Sequence, residues 1–181
     1  GCRPSLANAN VIKSDMSFWE VYFKPTWSVN ESLAFGGTFY YTPSMMNSGA
    51  PGTYVSAIAK YTLPATMLPN GIGSYISGEF GRQYLGTTDS FYGVVGFPNG
   101  IDYADYNTWN IGVGFTWKQA TLDLRYSDTD LSKGNCNAFT SDPGASGVAS
   151  TPINQGGPGS KWCGAAFIAK LSVDFTLSAL K

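Results

Sequence analysis

Apolar and polar positions alternate along most of this chain with a period of two, the periodicity of a strand whose two faces meet different surroundings. In residues 120–127, Ala120, Leu122, Leu124 and Tyr126 share one face, and Thr121, Asp123, Arg125 and Ser127 share the other. Residues 167–177 set Phe167, Ala169, Leu171, Val173, Phe175 and Leu177 against Ile168, Lys170, Ser172, Asp174 and Thr176, with Ile168 as the exception. Five further strands are predicted. Residues 17–27 oppose Trp19, Val21, Phe23 and Trp27 to Glu20, Tyr22, Lys24 and Thr26. Residues 33–42 oppose Leu33, Phe35, Phe39 and Tyr41 to Ala34, Thr38, Tyr40 and Thr42. Residues 55–62 carry Val55, Ala57, Ala59 and Tyr61 against Ser56, Lys60 and Thr62, with Ile58 out of pattern. Residues 72–83 set Ile72, Ile76 and Phe80 against Tyr75, Ser77, Glu79 and Gln83, and residues 108–117 alternate from Thr108 to Trp117.

The links between these strands alternate in length: residues 28–32, 64–71 and 118–119 are short, and residues 43–52, 85–105 and 128–161 are long. An antiparallel up-and-down meander with turns at one rim and long loops at the other is the layout of a transmembrane β-barrel. Aromatic residues gather at both rims, as amphipathic rings do at bilayer interfaces. Trp27, Tyr61, Tyr75, Trp117 and Phe175 fall at the short-turn end, and Trp19, Tyr41, Tyr54, Tyr84, Tyr106, Tyr126 and Trp162 at the long-loop end. Residues 1–16, with Pro4 and Asn8-Ala9-Asn10, read as loop, and residues 17–177 hold the seven strands of a single domain.

Composition sharpens this picture. Of 181 residues only 13% are charged, against 15% aromatic, and 22 are Gly. A soluble secreted barrel or sandwich would alternate equally well. Its solvated face would normally be rich in charge, whereas the polar face here is mostly Ser, Thr, Gly, Asn and Tyr with single ions. The apolar runs are too short for a membrane-spanning helix. Eleven Lys and Arg against twelve Asp and Glu leave no basic footprint for nucleic acid. The chain has no His, which removes imidazole as base, shuttle or metal ligand. Neither an enzymatic activity nor a cofactor is expected.

The runs Tyr106 to Trp117, Leu122 to Tyr126, Asp128 to Ser132 and Trp162 to Phe167 resemble the TorF-type porins of Gram-negative bacteria, and the likeness extends from about Ser17 onward. The resemblance implies an outer-membrane β-barrel and names no solute. Family members are longer at the N-terminal side, and single-chain bacterial barrels have even strand numbers. Seven strands, and a start at Gly1 without a signal sequence, are therefore read as the C-terminal part of a larger barrel.

Cys136 and Cys163 flank the longest loop, and a disulfide there suits an exported protein. A pair of metal ligands is the alternative, poorly supported without His or further Cys. Cys2 is left over. Asp102, Asp105, Asp128 and Asp130 offer oxygen ligands for Ca²⁺ or, more plainly, an acidic loop entrance. The Gly-rich stretches at 71–81 and 112–114 lack the Lys-Ser/Thr of a phosphate cradle and are expected to relieve crowding at barrel bends. Glu79 and Asp123 could form a hydrolytic carboxylate pair, but their parity makes them pore lining first.

The lumen face is predicted to carry Glu20, Lys24, Lys60, Glu79, Asp123, Arg125, Lys170 and Asp174, with Tyr22 and Tyr40 shaping a constriction. These charges cancel in number, so a weak cation preference is expected from the acidic loops. The expected function is passive diffusion of small polar solutes or ions through an outer-membrane porin. Membrane lipid, lipopolysaccharide and further copies of the chain are the expected partners. A structural or adhesive barrel with a blocked lumen is the alternative, and a membrane-embedded lipid-modifying enzyme a more distant one.

Overall fold

The computed structural model describes residues 11–140, 142–155 and 157–175. Cys2, most of the predicted N-terminal loop, and Thr176 and Leu177 of the last predicted strand lie outside the described residues. The fold is one antiparallel sheet of eight strands, mostly up-and-down. Its strands are β1 (Val21–Phe23), β2 (Thr26–Ser28), β3 (Leu33–Thr42), β4 (Gly52–Thr62), β5 (Gly73–Leu85), β6 (Tyr106–Trp117), β7 (Ala120–Thr129) and β8 (Ala166–Val173). Strands β3 to β8 pair in chain order, β1 and β2 both lie against β3, and the sheet is open.

The eighth strand comes from a division of the first predicted one. Phe23 pairs with Phe39 and Thr26 with Gly36, so the register runs unbroken across Lys24 and Pro25. Pro25 accepts a bond from the Gly37 amide at 3.0 Å but has no N–H to return, and the ladder lapses there. An edge strand tolerates this loss. Residues 17–20 are not strand, and β4, β6 and β7 extend further toward the loops than the alternation alone indicates.

Turns at the short end follow from local chemistry. The β4–β5 link contains Asn70-Gly71, both at positive φ, the pairing that tight turns demand. Lys118 opens the two-residue β6–β7 turn at φ 52°. The long loops pack on one another at the other end. Among the described residues, Ala50, Ile101, Tyr103 and Cys136 are the buried apolar ones, and they lie in these loops and not against the sheet. Tyr103 stacks on Phe139 with ring centroids 4.6 Å apart, and burial pushes its phenol up to about 12. Cys136, in the short helix α1 (Lys133–Asn137), is paired with Cys163 with Cα atoms 5.8 Å apart.

Candidate functional site

The strand register fixes which side chains share a face. Outward on one face stand Phe35, Phe39, Val55, Ile76, Phe80, Ile111, Leu122, Leu124 and Leu171, all exposed. Phe167 is 88% exposed and Leu171 70% on the free edge strand β8, and with the others they form one contiguous exposed apolar face. Among strand residues the only ions with this parity are Arg82 and Asp128, both near the long loops.

The opposite face is polar and more recessed. Tyr54 Oη donates to Glu79 Oε1 at 3.2 Å and lies 3.1 Å from Thr108 Oγ1. Asn110 Nδ2 donates to Glu79 Oε2 at 3.2 Å. Arg125 donates to Asn110 Oδ1, to Ser77 Oγ at 2.8 Å and, through Nε and Nη2, to both oxygens of Asp123. Tyr75 Oη donates to Asp123 Oδ2 at 2.7 Å. Lys60 Nζ sits 4.1 Å from the Tyr75 ring centre, and Lys24 Nζ 4.8 Å from that of Tyr40, which neighbours Tyr22 and Tyr54. A polar and aromatic belt thus crosses β1 to β7, and Lys170 on β8 faces Asp123 in register.

Three glycines make the belt physically feasible. Tyr75 reaches from β5 over Gly114 of β6 to Asp123 of β7, and Tyr54 reaches from β4 over Gly81 of β5 to Thr108 of β6. Arg125 returns from β7 over Gly112 to Ser77. A Cβ on any of the three would collide with the crossing side chain or the backbone beneath it. These glycines therefore relieve crowding, as expected, by serving as floors for long polar side chains.

Several expected site residues are placed differently. Glu20 precedes β1 and Asp174 follows β8, so both stand at the ends of the polar face instead of along it. Glu79 and Asp123 are held by different partners, with Asn110 and Arg125 between them, and do not form a carboxylate pair. The four carboxylates expected at the loop entrance do not converge, and Asp128 lies in β7 with the parity of the apolar face. Asp102 accepts from Thr87 Oγ1, Asp105 from the Leu85 amide at 2.8 Å, and Asp128 from Tyr126 Oη at 2.9 Å. Asp130 accepts from the Asn107 amide at 2.7 Å and from its side chain at 2.6 Å, which holds its carboxyl below the usual range. Among the described residues no three acidic or Cys side chains cluster as metal ligands would.

Tyr54, Tyr75 and Tyr106 have the parity of the polar face and are not rim aromatics of the apolar one. Trp27, Tyr61, Trp117, Trp19, Tyr41, Tyr84 and Trp162 remain exposed. Ser77, Thr108 and Asn110 join the site without having been expected there, and Tyr54 joins it from the rim where it was expected. Their shared parity with Lys60 and Glu79 is the signal that marks them.

No protein-family model matches this chain, and neither the curated proteins nor the solved structures offer a match.

Proposed function

We propose that this sheet is the wall of an outer-membrane β-barrel, with lipid against its apolar face and water against its polar face, serving passive diffusion of small polar solutes. One observation carries the reading: the apolar face is exposed, while the opposite face bears the ions, with Glu79, Asp123 and Arg125 half-buried in a cross-linked polar belt. A soluble sandwich requires the reverse. Arg or Lys on a lipid-facing midplane position costs roughly 2–4 kcal/mol, and this face carries ions only near the loops.

Strand dimensions support it. β3 to β7 hold 10, 11, 13, 12 and 10 residues, at or above the roughly 9–11 needed to cross a bilayer on a tilt. The partners of Leu124 run through Val113, Ile76 and Tyr61 to Leu33, so a line begun inside β7 leaves the sheet at the first residue of β3. Such stagger is what closure into a tilted barrel uses. In lipid, the free edges of β1, β2 and β8 must find partners, and a larger barrel containing this wall supplies them. The long loops then face lipopolysaccharide, and further copies of the chain are natural neighbours. On this reading the protein passes solutes and catalyses nothing.

The packed loop core favours a second reading, a structural or adhesive barrel whose lumen is occluded. Conductance of the full-length protein in planar bilayers separates the two. Stepwise single-channel currents are expected; inserted, heat-modifiable protein without current would select the occluded barrel.

A further inference from the structure

We propose that this wall selects small anions of the carboxylate or phosphate class, and that they dwell between Lys24 and Lys60. The inference rests on the channel reading and adds the sign and place of its selectivity. The polar face carries four cations, Lys60, Arg125 and Lys170 on the strands and Lys24 between β1 and β2, against Glu79 and Asp123 on the strands and Glu20 and Asp174 one residue beyond them. Glu20 and Asp174 balance them in number but stand at opposite ends. Four residues, roughly 13 Å of extended chain, separate Glu20 from Lys24 and Asp174 from Lys170, more than one Debye length at physiological salt, so the end charges offset the lysines only in part.

The two lysines differ from the other cations in their partners. Arg125 is committed to Asp123, with Nη2 to Oδ2 at 3.0 Å, and Lys170 faces the same carboxylate in register. Among the described residues, Lys24 and Lys60 lie within ion-pair distance of no carboxylate. They rest instead on Tyr40, Tyr22 and Tyr75, at 4.8, 5.5 and 4.1 Å from the ring centres. An aromatic face orients an ammonium without neutralising it, and leaves N–H donors for a solute.

The space for that solute is present. Lys24 and Lys60 line one cavity of about 240 Å³ together with Thr26, Ala34, Gly36 and Thr38. Pro25, Phe35 and Ile58 line it as well, so its polar groups are the two ammoniums and the two threonines. At the loop end, the acidic side chains are occupied by their own neighbours: Asp89 by Lys13, Asp105 by Arg82, and Asp142 by Ser160 Oγ at 2.8 Å. Of the expected entrance only Asp105 meets a cation among the described residues, while Asp102, Asp128 and Asp130 accept from neutral donors and keep their charge, so the anion site must act against an acidic rim.

The test is the reversal potential of the full-length protein in planar bilayers under a KCl gradient, followed by addition of inorganic phosphate. Chloride should be preferred over potassium, and phosphate should lower the chloride current. In Lys24→Gln/Lys60→Gln, the chloride-to-potassium ratio should fall severalfold and the phosphate effect should vanish. Heat-modifiable gel mobility checks that the variant is folded; if it is not, Lys24→Gln alone, at the lapse in the edge ladder, carries the same test. A cation-preferring channel, or a ratio unchanged in the folded variants, overturns the inference while leaving the channel reading intact. Absence of any current from inserted protein overturns that reading, and the inference with it.

Discussion

Tyr75 covers Gly114, its register partner across β5 and β6, and passes over it to donate a 2.7 Å hydrogen bond to Asp123 on β7. The same crossing recurs with Tyr54 over Gly81 and with Arg125 over Gly112. Each spans three strands, so the polar face is braced laterally by side chains as well as by the backbone ladder.

Filling the floor should break a brace. In Gly114→Val, the new side chain occupies the place of the Tyr75 ring and the bond to Asp123 is lost. Overpacking of this kind costs about 1–3 kcal/mol. A lowered temperature of heat modification in detergent is expected, and Tyr75→Ala in the same background should recover part of it. A Gly114→Val variant as heat-stable as the parent would refute the brace.

Leu124→Arg and Val173→Arg place a cation on the exposed apolar face, whereas Thr121→Arg and Ser172→Arg place it on the polar one. If lipid meets the apolar face, the Leu124 change should impair insertion by roughly 2–4 kcal/mol near the midplane, and Val173, nearer the strand end, by less. The polar-face pair should insert normally. Liposome-folding yields measure this, and equal damage from both pairs would point to a packed soluble core.

Removing the link between Cys136 and Cys163 should act on the loops alone. Closing a loop of 27 residues' separation contributes roughly 3–4 kcal/mol in the entropic treatment. Cys136→Ser/Cys163→Ser should therefore expose the 130–165 segment to protease while the strand signal in circular dichroism is unchanged. Simultaneous loss of both would mean that the loop core holds the sheet.

Tyr103 supplies a pH dependence. Its phenol, ordinarily near 10, is pushed up to about 12 by burial, so the folded protein keeps the proton more tightly than the unfolded chain does. The corresponding stability is fully present below pH 10 and is lost as pH rises toward about 12. Alkaline unfolding of the loop core should steepen across that window, and Tyr103→Phe should remove the slope. A phenolate signal from Tyr103 near pH 10 would contradict its burial.

The alternation along residues 120–127 was enough to place Leu124 and Arg125 on opposite faces, because side-chain direction in a strand depends only on parity. Strand order, the short turns and the long-loop end were legible for the same local reason: turn residues such as Asn70-Gly71 and the lengths of the links are written in the chain itself. Pro25 was visible too, but its effect was not, since a missing N–H matters only when the partner strand is known.

Contacts between strands were beyond that reach. Tyr54 and Tyr75 look from sequence like rim aromatics, and only the register shows that each crosses a neighbouring strand above a glycine. Likewise, Glu20 and Asp174 share the parity of Lys24 and Lys170, yet they stand just beyond β1 and β8, at opposite ends of the polar face. Parity is a property of one strand, whereas register is settled by many simultaneous hydrogen bonds between residues distant in sequence. The sequence therefore determined the two faces of this sheet, and the tertiary structure decided which side chains on them meet.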